Sequence, residues 1–424
     1  MFKTIHQKIK NAISCCLLKS ANQQISLQLF DSISRVNKTD WHQIAGTDVF
    51  WSIPYHEALE NGCTTSVLFR YVIIYKNDLP VSLFYFQLID LKGKSVSDLL
   101  NQEYFPELFA KMNGRSNDFV FGNKDKGESY LCICGNLFVS GDFGIKIIDD
   151  EVLAALKPTF AAAMDLVEDS LADGATIFAT ALKDYKMDHT LIKAFEQMSF
   201  VDFEIDPDMV LQIDSKWNTY DDYLATFSSK YRVRANSASA KIDGLITEDW
   251  DAKKINKHQE QIDKLFQAVL EKAPVRLAGN TSAYFGNLKN QLAQNFIFKA
   301  FLLNDKLVAF STAIIYNEGM HAHHIGFNYD LNKKYALYQN LLYHFIQDAI
   351  LLKKQFINFG RDAMEIKSTV GAEPMRLKLF VRFSNSITQL ILDSFLKLAK
   401  PKLWTQRKPF RLAENEKKAA SVRV

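Results

Sequence analysis

The chain has 424 residues, 48% of them hydrophobic and 23% charged, with a net charge of +3 from 51 basic and 48 acidic side chains. That length is too great for one ordinary core, so two domains of a soluble globular protein are expected. The near-balance of charge gives little support to a nucleic-acid-binding protein, which would show steep salt dependence on a generic duplex.

Five cysteines (Cys15, Cys16, Cys63, Cys132 and Cys134) are an odd number, at spacings that fit no disulfide framework. A reducing cytoplasm is the simplest setting, and Cys132-Ile133-Cys134, inside an apolar run, reads as buried packing. No apolar stretch reaches the roughly 18 residues that a membrane span needs. The N-terminal apolar run at residues 12–18 is short and broken by Ser14, so a cleavable signal is not expected either.

In chain order, the first twenty residues read as a basic amphipathic helix. Phe2, Ile5, Ile9, Ile13 and Leu17 recur at helical spacing, with Lys3, Lys8, Lys10 and Lys19 mostly elsewhere on the wheel. Such a stripe docks on its own domain or lies on a membrane surface. "SVLFRYVIIYKNDLPVSLFYFQLI" is a hairpin about the turn-forming Lys76-Asn77-Asp78-Leu79-Pro80. "SYLCICGNLFVSGDFGI" is a strand, and residues 150–172 form a long helix that Pro158 can kink. "GATIFATAL" is a strand, "HTLIKAFEQMSF" a helix, and "VDFEIDPDMVLQI" one or two strands.

The second half repeats this order. "NDKLVAFSTAIIY" and "GMHAHHIGFN" are strands joined at Asn317-Glu318-Gly319. A strong amphipathic helix follows, with Leu337, Leu341, Leu342, Phe345, Ile346 and Ile350 on one face and Asn332 as its cap. "QFINFG" is a strand, "DAMEIKSTV" a short helix and "MRLKLFVRF" a strand. The repeat is of element order, not of residues, and predicts tandem copies of one α/β fold. The boundaries read as a lead-in helix at 1–44, a first copy at 45–214, a second copy at 215–385 and a basic tail at 386–424. Between the copies, "DSKWNTYDDYLATFSSKYRVRANSASAKI" is helical in propensity and rich in Lys and Arg.

One corner concentrates charge. Gly360 and Arg361 follow a buried-looking strand, and Asp362 stands three residues before Glu365, the spacing of a capping box. On a helical wheel Ala363, Ile366 and Val370 face the sheet, Glu365 and Ser368 point away, and Lys367 sits at the margin. In open α/β sheets ligands collect at such strand ends, and a helix N-terminus offers amides to an anion. The competing reading is a surface salt-bridge cluster worth about 0–1 kcal/mol.

The pattern "FGRDAMEIKSTVGAEPMRLKLF" resembles the C-terminal signature of GNAT-like acyltransferases of the FemAB/BioF2-like type, and "WNTYDDYLATFSSKYRVRAN" resembles that group's entry segment. The resemblance is best over residues 217–383 and extends, as a degenerate first copy, to about residues 52–213. It implies an α/β fold with mixed sheets, built as two tandem GNAT-like domains, and transfer of an acyl or aminoacyl group to an amine. The donor it implies is acyl-CoA or aminoacyl-tRNA, with no metal. Ordinary GNAT enzymes hold the coenzyme A pyrophosphate on a Gly-rich loop opening the long helix. Here that place reads "IGFNYDLNKKYALYQN", with Gly326 alone, although Lys333 and Lys334 can serve a phosphate. Aminoacyl-tRNA, the donor of related FemAB-like enzymes, would suit a basic channel.

Amine acylation needs a proton acceptor, a donor to the oxyanion and a means of holding both substrates. In "HAHHIGFN", strand alternation puts His321 and His323 on one face and His324 with Gly326 and Asn328 on the other. His323 and His324 are the candidate bases, as imidazoles near pKa ~6.5. His-x-His can also chelate, but only Glu318 lies near as a further ligand, short of zinc's usual four. Buried, hydrogen-bonded histidines are the structural alternative. Tyr338, at the start of the long helix, is the candidate donor to an oxyanion or leaving group, or else a core tyrosine. Arg232 and Arg234 can clamp a phosphate or belong to a solvated face. Asn328, Asn340, Gly360, Arg361, Glu365 and Lys367 complete the expected substrate and donor contacts. The matching place in the first copy, "ATALKDYKMDHTLIK", lacks the Phe-Gly-Arg corner and is expected to be scaffolding.

The tail carries an apolar stripe (Ile387, Leu390, Ile391, Phe395, Leu398) and then Lys400, Lys402, Arg407 and Lys408; residues 391–424 hold nine Lys/Arg against three Asp/Glu. It can dock on anionic lipid at the inner face of a membrane, as a peripheral enzyme would, or pack on its domain and end in a disordered basic tail. The expected acceptor is a small-molecule or envelope-precursor amine. The rival from another class is a binding protein that has kept the fold and lost donor binding.

Overall fold

A computed structural model of the chain describes residues 14–20, 23–64, 66–91, 129–272, 281–386, 389–390 and 403–411. It divides into two compact units. The first comprises Met1–Asp206, Ala273–Ala293 and Arg376–Pro401, the second Pro207–Lys272, Gln294–Met375 and Lys402–Val424.

In the first unit, β1 (Ser14–Ser20), β2 (Gln23–Phe30), β3 (Val67–Lys76), β4 (Leu79–Asp90) and β5 (Ser129–Cys134) pair antiparallel in that order. A short β6 (Ile145–Ile147) lies beside β4, and β7 (Thr176–Lys186) pairs parallel with β5. The β3–β4 turn places Asn77 and Asp78 at φ 49° and 66°, the left-handed pair whose twist matches two hairpin strands. Cys132 and Cys134 are fully buried, as their apolar setting predicts. The helix expected at 150–172 is two helices, Asp150–Ala154 and Leu156–Asp169. The break falls at Ala155, because Pro158 has no N–H to give the carbonyl four residues back. Phe160, Ala163 and Val167 of the second helix bury against Val72, Phe84, Phe86 and Cys132 of the sheet.

The helix expected over the first twenty residues is not what their described part forms. Ser14–Ser20 is a strand, with all seven residues in register with β2, from Ser14↔Leu29 to Ser20↔Gln23. A lone short helix is marginal in water, and pairing with β2 satisfies the backbone groups along one side of the strand, which outweighs a helical spacing of side chains. Residues 1–13, which carry most of the predicted stripe, lie outside the described residues.

In the second unit the strand order is β8 (Val201–Gln212, through residues 207–212), β13 (Phe356–Asn358), β12 (Gly319–Phe327), β11 (Lys306–Tyr316), β10 (Phe296–Leu303) and β9 (Ile246–Asp249). Only β12 and β13 run parallel; the other neighbours are antiparallel. The helix Leu337–Leu351 connects that parallel pair. Its six predicted apolar residues, Leu337, Leu341, Leu342, Phe345, Ile346 and Ile350, are all buried, each contributing about 1.5–3 kcal/mol. Most of them meet Met209, Leu211, Ala313, Met320 and Ile357. The last strand, β14 (Glu373–Phe383), belongs from Arg376 onward to the first unit, where residues 377–383 pair antiparallel with β7. Both units thus contain three antiparallel strands, a helix and a parallel strand, the order predicted from the sequence.

Candidate active site

The parallel pair of the second unit opens at its carboxyl end. Gly319, Met320 and His321 of β12 pair with Phe356, Ile357 and Asn358 of β13. β12 then runs on to Phe327, whereas the chain after Asn358 turns to β8, where Phe359 N–H donates to Met209 O at 2.9 Å. Met209, Met320 and Ile357 belong to the apolar core on one face. The polar side chains Asp208, His321 and Asn358, all buried, alternate to the other.

Past Asn358 the backbone enters the left-handed region at Gly360, Asp362 and Ala363 (φ 68°, 65° and 49°). That tight corner aims its carbonyls inward. Asn358 holds it from below: its Nδ2 donates to Asp208 Oδ2 and its Oδ1 accepts from Gly360 N–H, both at 2.8 Å. Lys367 holds it from above. Its Nζ donates to the Gly360 carbonyl at 3.2 Å and to the Arg361 carbonyl. Burial, opposed by the carboxylates of Asp362 and Asp208, lowers the Lys367 ammonium from the usual lysine range to about 8.

The corner helix, Met364–Ser368, differs from its predicted form. The capping box is absent, since Asp362 and Ala363 are both left-handed and no side chain caps the helix. Ala363 and Ile366, expected against the sheet, are exposed, and Ser368, expected outside, is buried together with Met364 and Lys367. The left-handed pair rotates the helix relative to the strand. Glu365 faces outward and is ion-paired with Arg407, whose N–H donates to Ser368 Oγ at 2.9 Å. Arg361 is half-buried at the corner.

The histidines are also rearranged. The β11–β12 register shifts between Thr312 and Ala313, which pair with His324 and Ala322, so His323 is the extra residue of a bulge. The imidazoles of His323 and His324 therefore lie side by side, ring centroids 4.0 Å apart, rather than on opposite faces. Thr312 Oγ1 accepts from His324 N–H at 3.0 Å and lies 3.3 Å from His323 Nδ1, and Phe266 covers His324 at 4.9 Å. Burial, with the neighbouring imidazoles, holds His323 well below the usual histidine range and His324 at about 3. Both are neutral near pH 7 and much weaker bases than a solvated imidazole. Among the described residues no group of three or more His, Cys, Asp and Glu is placed to hold a metal ion.

The loop opening the long helix is filled by its own chain. Asn328 caps an inserted helix, Tyr329–Tyr335, by accepting from Asp330 and Leu331 N–H at 2.9 and 3.3 Å. Ala336 (φ 48°) joins the two helices. Asn332 does cap the long helix, by accepting from Tyr338 N–H at 3.0 Å. Asn340, expected to contact donor, gives its amide hydrogens to the carbonyls of Ala238, Tyr335 and Ala336 at 2.9–3.1 Å. Gly326 is no phosphate-loop glycine: a Cβ there would lie 2.2 Å from the ring of Phe310, its cross-strand partner. Burial raises the Tyr338 phenol above its usual range, with the Asp362 carboxylate adding to the effect. Arg232 and Arg234 lie on the helix Ser229–Lys241, Arg232 half-buried and Arg234 exposed beside the ring of Tyr231.

Residues 229–368 match the family described as an acetyltransferase (GNAT) domain. Two solved structures extend the likeness over both units. FemX is 10% identical, over 84% of this chain and 98% of that one, with a TM-score of 0.52. A tandem GNAT protein from the clavulanic acid biosynthesis pathway is 6% identical, over 85% and 99%, with a TM-score of 0.50. The chain has a tandem GNAT fold. No curated protein matches it in sequence.

Within that fold the structure gathers Gly360, Arg361 and Lys367 at one corner, and it pairs His323 with His324 on the neighbouring strand. Asn328 and Asn340 serve the backbone instead. Sequence reasoning missed Asp208 and Asn358. Their signal was a polar residue inside an otherwise apolar strand, in "DPDMVL" and "FINF", where a buried polar group needs a partner.

Proposed function

We propose that the chain is an N-acyltransferase that moves an acyl or aminoacyl group onto an amine, with its working site where β12 and β13 part in the second unit. The observation that carries this reading is Lys367, a buried ammonium held at the mouth of a GNAT-fold strand opening. Two of its three hydrogens are given to Gly360 and Arg361, which leaves one for the carbonyl oxygen of an acyl group. As the amine nitrogen attacks the carbonyl carbon, that hydrogen bond strengthens on the developing oxyanion. The C–O or C–S bond to the leaving group then breaks, and the amine proton passes to solvent or to the departing atom. Tyr338 and Arg361 are the further groups proposed to touch the donor.

The loop bears on the choice between acyl-CoA and aminoacyl-tRNA as donor. The residues present do not fit the diphosphate of coenzyme A, because side chains of the loop itself cap its helix amides. An aminoacyl ester carried on tRNA, a donor that the FemAB/BioF2-like resemblance implies, is the reading this favours, with an envelope-precursor amine as acceptor. The first unit is proposed as scaffold. At its matching corner Lys183 Nζ donates to Val139 O at 2.9 Å and pairs with Asp184, which accepts from Ser140 Oγ and Gly141 N–H. The chain thus fills the space itself.

The test is incubation of the purified protein with acyl-CoA esters and with charged tRNA, each with an amine panel, followed by mass spectrometry of the products. Transfer that falls sharply in Lys367→Met and Arg361→Ala, with the fold intact, supports the site. Transfer that survives both changes sinks it. No transfer with any donor, together with tight retention of one ligand, would favour the binding-protein reading, for which the filled loop is the specific evidence.

A further inference from the structure

The outer side of the corner helix forms one wall of a groove of about 570 Å³, walled also by the helix Ser229–Lys241 and by residues 403–407 of the C-terminal segment. Its composition is that of neither a core nor an ordinary solvated face. Three aliphatic side chains stand out of the protein around it: Leu403 fully, Val233 at 66% and Ile366 at 43% exposure. Lys230 and Arg234, at i and i+4, share the helix face that lines the groove, and Val233 neighbours Lys230 at i+3 on its rim. Among the described residues neither of these two cations forms an ion pair. Trp404 and Tyr231, half-buried against the core, also line the groove, as does the ion pair of Glu365 with Arg407.

We propose that this groove and its rim are a docking surface for an anionic lipid bilayer. Exposed aliphatic residues beside two cations that no described carboxylate pairs, with a half-buried Trp and Tyr in the same groove, suit a lipid interface, where acyl chains lie beneath a layer of anionic phosphates. A nucleic acid would also attract Lys230 and Arg234, but it gives Leu403, Val233 and Ile366 nothing apolar to enter. A globular protein partner would not need the excess of positive charge, which continues in sequence: residues 391–424 carry nine Lys/Arg against three Asp/Glu. The surface stands apart from any transfer reaction. It lies on the outward side of the helix whose inner side holds Lys367, so its test is independent of the proposed activity.

The experiment is sedimentation of the full chain with vesicles of phosphatidylcholine alone and of phosphatidylcholine mixed with phosphatidylglycerol. Binding is expected to the mixed vesicles only and to weaken with salt. Lys230→Gln with Arg234→Gln is expected to lower the partition coefficient roughly thirtyfold. Leu403→Asp with Val233→Asp is expected to abolish binding while circular dichroism stays unchanged, because both side chains are exposed. Equal binding to pure phosphatidylcholine, or binding that both double variants keep, overturns the proposal. So does failure to bind mixed vesicles when a short single-stranded RNA binds through the same cations.

Discussion

Lys367 donates its ammonium to the carbonyl of Gly360 at 3.2 Å, across a corner that Asn358 braces from the other side. The lysine has to keep a proton in a buried place, and the corner has to keep a left-handed backbone. Each supports the other, and their coupling shows in how stability responds to pH.

Folding lowers the Lys367 pKa from 10.5 to about 8. Below pH 8 both folded and unfolded chains carry the proton, and the folded state bears the full cost of burying it. As pH rises from 8 toward 10.5 the folded lysine sheds its proton while the unfolded one keeps it, so stability rises through that window. The total is on the order of 3 kcal/mol. Denaturant melts of wild type and Lys367→Met across the window should diverge. Parallel pH profiles would show that the lysine is solvated.

Asn358 is the brace. Asn358→Ala removes the donor to the buried Asp208 carboxylate and the acceptor for Gly360 N–H. A loss of about 1–3 kcal/mol is expected from urea unfolding, and Lys367 should become more reactive to amine reagents as the corner loosens. A change within experimental error in both measurements would remove Asn358 from this role.

His324 predicts the opposite pH limb. Its folded pKa is about 3 because of burial, while unfolded histidine titrates near ~6.5. The unfolded chain therefore takes up a proton that the folded chain refuses, and stability falls as pH drops from 6.5 toward 3. His324→Phe should flatten part of that acid limb. An acid transition identical to wild type would contradict the burial.

Gly326 makes room for a ring. Gly326→Ala forces a Cβ to within 2.2 Å of Phe310, which is itself stacked on Phe298 at 5.1 Å. Overpacking of this kind costs about 1–3 kcal/mol, and the melting temperature reads it. Were Gly326 a donor-loop residue instead, the variant would melt normally and lose only ligand binding.

Ala336 is an L-residue at φ 48° between two helices. Ala336→Gly relieves the left-handed strain and should raise stability by about 0.5–1 kcal/mol. A destabilised variant would mean that the Asn340 bonds to this corner depend on the methyl group.

Local pattern alone determined a good deal. The apolar face of Leu337–Leu351, the hairpin at Asn77-Asp78, the burial of Cys132 and Cys134 and the repeated element order follow from periodicity and turn chemistry, which act within a few residues. The Lys367 corner could be located the same way. Tertiary structure decided the rest, because those outcomes depend on partners distant in sequence. Ser14–Ser20 became a strand because β2 supplied its hydrogen bonds. Residues 377–383 pair with β7, a choice no local pattern makes. The bulge at His323 brought two imidazoles together because β11 is one residue shorter there, and burial then took from them the basicity that an isolated histidine suggests. Asp208 and Asn358, 150 residues apart, are joined by one hydrogen bond, which forms only when the sheet is assembled.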